Sequence, residues 1–492
     1  MTVNWSGNGP SLFLPLDPDA GIPLGHQLQD QLRAAVRGGR LRAGERLPSS
    51  RRLSEELGVS RGMVVACYEQ LIAEGYLVGS VGSGTRVAAG LSDPAGRSPG
   101  TGKTSPATPT EERVEIDFEY GVPDLRSAPL DDWMWALREA GRTAPTAVMG
   151  DENDGGALRL REVVAAYHRR VRAGTAHADQ AVIVNGFRQG LVLVLGALAR
   201  SGVERVGLED PGPRQHAEIV RRAGMQPVAV PVDGAGLDVD ALRRSGARAV
   251  LVTPAHQCPT GVVMAPGRRQ ELLAWAAEVD GLVLEDDYDA EFRYDRQPVG
   301  SLQGLAPDRV LALGSLSKTM APGIRLGWLL VPRALTGAVL EDKRLSSRGA
   351  PALDQLALAT LLESGRYDRH VRRMGQVYRR RRDVLARAVT DHAPGLRLVG
   401  LEAGCHAVLE LPEGVTEQDV ERAALHRSVR VHGLSRYRVD APRAGEANVP
   451  AALVLGFGNV IEERIVRGIA VLGDVLSGRP TEDPARSAPG RR

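Results

Sequence analysis

Lysine is nearly missing from this chain. Of 62 basic side chains in 492 residues, only Lys103, Lys318 and Lys343 are lysine. Arginine can replace lysine in most ion pairs, but a guanidinium stays protonated and cannot act as an amine nucleophile. Cysteine is also scarce. Cys67, Cys258 and Cys405 are odd in number, far apart and without metal-ligand spacing, which excludes a disulfide framework and points to a reducing compartment. No run of about 18 apolar residues exists, which excludes a membrane-spanning helix. Met1 to Asp19 shows no basic stretch followed by an apolar one, so no signal peptide is expected. These absences together predict a cytoplasmic protein. The net charge of +2 argues neither for nor against a nucleic-acid partner. An apolar share of 43% and a charged share of 25% are those of a globular chain, with room for about two to four domains.

Against that scarcity, one lysine stands out. Leu311-Ala-Leu-Gly-Ser-Leu-Ser-Lys318-Thr-Met-Ala-Pro-Gly-Ile-Arg325-Leu-Gly-Trp328 sets Lys318 in a glycine- and serine-rich turn after a short apolar run. A surface lysine in a loop is the plain reading. A retained amine at a strand end instead suggests covalent chemistry with an aldehyde, pyridoxal 5'-phosphate (PLP) held as a Schiff base being the obvious one.

The first ninety residues form a compact pattern. Leu24, Leu28, Leu32 and Val36 lie at helical spacing before Gly38-Gly39. Leu47-Pro-Ser-Ser50-Arg51-Arg52-Leu-Ser-Glu-Glu-Leu57-Gly58 reads as a short helix. Ser60 is placed to cap the next one, with Val59 and Val64 positioned as a hydrophobic staple. That helix carries Val64, Val65, Tyr68, Leu71 and Ile72 on its apolar side and ends at Gly75. Tyr76 to Val87 alternates and turns as a hairpin would. Two short helices joined by a tight turn make a helix-turn-helix, and the hairpin makes a wing. A small helical cap without a DNA role is the alternative. Leu-Pro-Ser-x-Arg, Gly-Val-Ser-Arg and Gly-Ser-Gly-Thr-Arg-Val resemble the winged helix of GntR-type transcription regulators. By position the resemblance implies that Ser50, Arg51, Ser60, Arg61, Gly82 and Gly84 approach double-stranded operator DNA, the arginines at phosphates or guanine edges. Family members usually carry a threonine-like polar residue soon after that arginine. Here Gly62-Met63 follow Arg61.

Boundaries follow from composition. Residues 12–88 are expected to be the winged helix-turn-helix and 89–114 a flexible linker rich in Gly, Pro, Ser and Thr, with a reach on the order of 25–30 Å. An α/β domain is expected over 115–477, and a disordered tail over 478–492. In the α/β part, short apolar runs (Ala181–Val184, Arg205–Leu208, Pro227–Val230, Ala249–Val252, Gly281–Leu284 and Arg309–Leu313) alternate with helical patterns, as buried parallel strands do. Ligands in such sheets bind beyond the strands' carboxyl ends, so the residues following each run matter most. After the first come Gly186-Phe187-Arg188 and a helix start, which offers free backbone N–H groups to a phosphate. After the fifth comes Glu285-Asp286-Asp287-Tyr288-Asp289. Asp286 and Tyr288, two apart, point to one side of an extended segment, where a carboxylate can pair with a pyridine nitrogen and a phenol with a 3' oxygen. Four acids in five residues also suggest a metal site, but no histidine is nearby in sequence and none is expected.

Asp286, Ser-x-Ser-Lys318, Arg325-Leu-Gly-Trp, Thr253-Pro-Ala-His-Gln-Cys-Pro-Thr-Gly261 and Tyr120-Gly-Val-Pro-Asp resemble fold-type I aminotransferases. Joined to the winged helix, the whole is similar to MocR/GabR-type regulators. This implies an α/β, mostly parallel sheet with a smaller α+β part. It also implies a homodimer, PLP on Lys318, and cofactor contacts from Asp286, Tyr288, Ser315, Arg325, Gly186, Phe187 and Arg188. Several departures stand against the pattern. Cys258 replaces an asparagine, Met149 a partner-subunit tyrosine and Pro213 an aromatic. Ala451 to Gly458 lacks the arginine that clamps a substrate carboxylate, for which Arg436, Arg438 or Arg443 could substitute. The expected function is a PLP-dependent DNA-binding regulator sensing PLP or an amine or amino-acid effector. The alternatives are an active aminotransferase with an appended DNA-binding unit, and a body that has lost its cofactor.

Overall fold

The computed structural model describes residues 2–3, 12–80, 84–89, 114–150, 154–289, 291–294, 299–347, 349–439 and 451–478. Gly82, Arg443, most of the expected linker and nearly all of the expected tail lie outside these residues. The chain divides into two compact units, Met1–Thr110 and Glu111–Arg492.

The first unit holds three helices and a hairpin. Helix α1 (Leu24–Arg37) buries Leu28, Leu32, Ala35 and Val36. Helix α2 (Ser50–Leu57) starts at Ser49, whose side chain accepts from the Arg52 amide, and ends at Gly58 with φ 68°, a left-handed stop that suits glycine. Helix α3 (Arg61–Ala73) is capped by Ser60, whose Oγ accepts from the Met63 amide at 3.2 Å. The strands Leu77–Ser80 and Gly84–Val87 pair antiparallel, Leu77 opposite Val87. Leu28, Leu32, Leu53, Val64, Leu71, Leu77 and Val87 share one core. Ile72, expected on the apolar side, is 39% exposed, because the buried stripe of α3 runs Val64, Cys67, Tyr68 and Leu71.

The second unit is built on an eight-stranded sheet. In chain order its strands are β1 (Ala181–Val184), β2 (Arg205–Asp210), β3 (Gln226–Asp233), β4 (Gly236–Leu237), β5 (Ala249–Val252), β6 (Leu282–Asp287), β7 (Val310–Ser315) and β8 (Gly327–Leu330). They lie in the order β1-β8-β7-β6-β5-β2-β3-β4. The run from β7 through β6, β5 and β2 to β3 is parallel. One strand interrupts the run. Strand β8 is inserted between β1 and β7 and pairs antiparallel with both, so β1 runs in the same direction as the parallel strands without pairing with one of them. The sheet is buried on both faces. On β1, Val182 and Val184 join one apolar cluster, and Ala181 and Ile183 the other, the period of two that a strand imposes.

A smaller antiparallel sheet of Leu398–Val399, His406–Glu410, Ala452–Gly456 and His432–Gly433 packs with the helices Arg366–His392 and Glu462–Leu476 around Phe118, Tyr378, Leu409 and Leu455. Ile116–Asp117 pairs with Val429–Arg430, which ties the start of the unit to its last third. A buried ion pair, Arg381 Nη2 to Asp124 Oδ2 at 2.6 Å, makes a second tie.

Candidate functional site

The parallel strands deliver their polar residues to one edge. Strand β7 ends at Ser315, and the chain turns at once through Lys318. The neighbouring β6 carries Asp286 opposite Leu313. Lys318 Nζ donates a hydrogen bond to the Gly121 carbonyl and lies 5.6 Å from the centre of the Tyr120 ring. Gly121 has φ +75°, and a Cβ there would meet Lys318 Nζ at 2.5 Å. Glycine is thus required by both backbone and amine. Burial pushes the Asp286 carboxyl well above its usual range and the neighbouring Asp287 adds to this, while the Lys318 charge pulls it back. Asp286 is thus a desolvated acid within the field of the Lys318 ammonium.

Tyr288, just past β6, donates from its hydroxyl to the His256 carbonyl at 3.0 Å. Its pKa is raised well above normal by burial, then by Asp289. Tyr120 stands edge-on to Tyr288, His406 and Tyr437 at 6.5, 4.8 and 5.8 Å. Cys258 lies beside it, its thiol pushed up by burial and pulled down by a hydrogen bond with Tyr120. So the position at which Cys258 replaces an asparagine carries a thiol–phenol pair.

Arg325 and Gly186 meet across the sheet. Ser315 pairs with Gly327, which pairs with Val184 at the end of β1. Gly186 follows with φ +86° and starts helix α4 (Phe187–Arg200). Arg325 Nη2 donates to the Asn185 carbonyl at 2.8 Å, and a Cβ on Gly186 would sit 3.3 Å from the same nitrogen. A guanidinium therefore lies against a helix N-terminus whose first amides have no helical partner. Ser315 Oγ accepts from the Ser317 amide at 3.2 Å and is 2.9 Å from Ser317 Oγ. Phe187 packs 5.3 Å from His216, a ring three residues beyond Pro213. Arg188 turns away, exposed, to Gln215.

The arrangement suits a phosphorylated pyridine aldehyde. It offers an amine, a desolvated carboxylate, a guanidinium at a helix start, and phenols between them. Two of the three substitutes expected for a carboxylate clamp are engaged elsewhere. Arg438 Nη1 is 2.9 Å from Asp210, and Arg436 pairs with Glu119 at 3.2 Å. Met149 is 62% exposed.

Sequence reasoning assigned no role to Glu209 or to the His256–Asp289 pair. Glu209 Oε2 accepts from the Thr253 amide and hydroxyl and from Gln257 at 3.1, 2.5 and 3.3 Å. His256 Nδ1 is 2.9 Å from Asp289 Oδ2. Both histidine and acid stood in quoted motifs, but their contact spans 33 residues and carries no local signal.

In the first unit, Arg51 is exposed and pairs loosely with Glu55 at 3.2 Å, one turn along α2. Arg61 is exposed at the start of α3. Ser50 begins α2 and is half-buried, its neighbour Ser49 doing the capping, and Ser60 caps α3. Gly84, with φ +83°, faces Arg46, whose Nε would be 3.0 Å from a Cβ there.

A winged helix on one unit and a lysine-bearing, mostly parallel sheet on the other define helix-turn-helix proteins that carry an aminotransferase-like body. Residues 24–87 match the family described as bacterial regulatory proteins, gntR family, and residues 114–452 match aminotransferase class I and II. The chain is 34% identical over 467 residues to the HTH-type pyridoxine biosynthesis transcriptional regulator PdxR of Corynebacterium glutamicum, covering 95% of this chain and 99% of that one. It is 30% identical to the probable rhizopine catabolism regulatory protein MocR of Rhizobium meliloti, covering 97% and 99%. Its fold matches Pyrococcus horikoshii kynurenine aminotransferase with TM-score 0.67 at 22% identity, over 74% of this chain and 91% of that one. An archaeal alanine:glyoxylate aminotransferase matches with TM-score 0.66 at 25% identity, over 74% and 91%. The chain belongs to the MocR/GabR subfamily of GntR-type transcription regulators. Among the described residues no helix is long and apolar enough to cross a membrane.

Proposed function

We propose that this regulator binds PLP on Lys318 and that the bound cofactor is the signal that alters its affinity for operator DNA. The observation that carries the reading is the convergence of Lys318, Asp286 and Arg325 at one edge of the sheet, in a chain whose relatives are regulators. Lys318 would hold the cofactor through its aldehyde, Asp286 would face the pyridine nitrogen, and Tyr288 the 3' oxygen. Ser315, Arg325 and the Gly186–Phe187 amides would hold the phosphate, the guanidinium by charge-assisted bonds. Arg188, turned toward Gln215, would act only through the field at the helix start. When bound, PLP supplies an aldehyde that exchanges between amines.

Arg436 and Arg438, the two candidate clamps among the described residues, are paired with Glu119 and Asp210. This favours the cofactor itself as signal over turnover of an amino acid. The name of the Corynebacterium relative, a regulator of pyridoxine biosynthesis, points the same way. A ligand moves DNA affinity only by its differential affinity for two arrangements, typically about 1–3 kcal/mol. Exposed Leu130, Met134, Met149 and Leu158 lie on consecutive segments of the second unit and are apolar surface suited to a homodimer, which would present paired half-sites. In the DNA-binding unit, Arg51 and Arg61 would contact the duplex while Ser50, Ser60 and the wing glycines approach its backbone.

The test is footprinting on the DNA upstream of the protein's own gene, with and without PLP. PLP should shift the midpoint of protection for wild type and leave Lys318→Ala unmoved. An identical shift in Lys318→Ala would refute the proposal, and sustained keto-acid release from an amino acid would favour the enzyme reading.

A further inference from the structure

Behind the phenols that flank Lys318 lies a buried trio with unmade bonds. His256, Asp289 and His406 are 1%, 2% and 1% exposed. They arrive from the loop after β5, the segment after β6, and the strand His406–Glu410 of the smaller sheet. One ligand atom from each lies within 4.8 Å of the others, and the two imidazole rings are 4.7 Å apart between centroids. Among the described residues, neither His256 Nε2 nor either nitrogen of His406 has a hydrogen-bond partner of good geometry. The Pro259 backbone comes near enough to His406 only to oppose, in part, the loss of its charge. An unmet buried donor or acceptor costs about 1–3 kcal/mol, and natural cores satisfy most of theirs. A metal ion takes one nitrogen from each ring, and His406, with both nitrogens open beside the His256–Asp289 pair, is the residue whose partner is absent.

We propose that His256, Asp289 and His406 bind a divalent transition-metal ion, with zinc the best match to the donor set. Two imidazoles and a carboxylate, with water in the fourth position, are a zinc ligand set at bond lengths of about 2.0–2.2 Å, which places neighbouring ligand atoms roughly 3.3 Å apart. His256 Nδ1 and Asp289 Oδ2, at 2.9 Å, already stand close to that spacing. His406 must swing in by something on the order of 1–1.5 Å. Burial and the neighbouring His256 both drive His406 to its neutral form, the form that ligates. Gly404 makes the room. Its φ is +68°, and a Cβ there would lie 2.3 Å from Asp289 Oδ2 and 2.5 Å from His256 Cε1.

The site would act on the cofactor pocket without touching it. Tyr288 Oη is 3.4 Å from His256 Nδ1, and the Tyr120 ring packs edge-on against His406. A dication facing a single carboxylate would act on both phenols through its field. The sequence reading expected no metal because the acids of 285–289 have no histidine nearby in the chain. The fold supplies two from 33 residues before Asp289 and more than a hundred after it.

The inference does not depend on PLP and is tested without it. Full-length protein, stripped of cofactor and chelated, is titrated with zinc alone by calorimetry, and its metal content is measured after desalting. The expected result is one zinc per chain, with affinity weakened by at least about 10- to 100-fold in His256→Gln and in His406→Asn, folding being checked by circular dichroism. A folded wild type that takes up no zinc overturns the proposal. So does uptake that both variants leave unchanged. If one variant does not fold, the other and the wild type still decide the question.

Discussion

Glu209 should make the protein less stable as pH rises, and removing its charge should abolish that dependence. The carboxyl ends strand β2 one residue before Asp210, buried, and burial pushes its pKa up to about 7 against the opposing hydrogen bonds from Thr253 and Gln257. An acid whose folded pKa exceeds its unfolded value of 4.5 binds protons more tightly in the native state. Its contribution is therefore intact below the unfolded pKa and is lost as pH rises toward the folded one. Proton linkage between those two values gives a penalty of roughly 1 kcal/mol at pH 5.5 and roughly 3 kcal/mol at pH 8, a difference of about 2 kcal/mol. Glu209→Gln keeps an oxygen that can accept from Thr253 and removes the titration. The assay is urea unfolding of wild type and variant at both pH values. The variant should gain about 2 kcal/mol on wild type between pH 5.5 and pH 8, whatever the absolute offset, because all other titrating groups cancel in the comparison. A gap that stays constant within about 0.5 kcal/mol would show that Glu209 is already ionised at little cost, and would refute the reasoning.

Arg61→Ala should weaken operator binding by about 1–3 kcal/mol, roughly 5- to 150-fold, if the guanidinium reads a base edge. The melting temperature should not move, since Arg61 is exposed and no hydrogen bond to it is found among the described residues. Unchanged binding in a mobility-shift titration would remove Arg61 from the interface. Gly314→Ala should cost about 1–3 kcal/mol or more, because the new Cβ would fall 2.3 Å from Trp328 Cε2, on a rigid and nearly buried indole in the adjacent strand. A loss below about 0.5 kcal/mol in denaturant unfolding would contradict the β7–β8 packing.

Much of this architecture could be read from residue order because its signals are local. Ser60 before a helix, Gly58 after one, and six apolar runs of four or five residues each announce themselves within a turn or a strand. Pairing direction does not. Nothing within Gly327–Leu330 says that it runs antiparallel between β1 and β7, since a strand buried on both faces reads the same either way. The candidate site divides along the same line. Lys318, Asp286 and Arg325 lie at run ends, where α/β sheets put their chemistry, and could be named in advance. The Cys258–Tyr120 contact, the three hydrogen bonds to Glu209 and the His256–Asp289–His406 trio join stretches distant in sequence, and only the fold brings them together. The arginines offered as carboxylate clamps show the converse limit. Sequence could propose Arg436 and Arg438, but their partners Glu119 and Asp210 come from the other end and the middle of the unit.

The central claim is that one of three lysines carries the cofactor, and it can be tested at the level of the peptide. Lys343 is the natural control. It is buried, donates to the Asp154 carbonyl, and has its pKa lowered by desolvation to about 8, so it is a readily neutral amine but has neither Asp286 nor Arg325 at hand. Protein equilibrated with PLP, reduced with borohydride and digested should yield a phosphopyridoxyl group on the peptide containing Lys318 and on no other, by mass spectrometry. Label on Lys343 or Lys103, or no label at saturating PLP, would contradict the account.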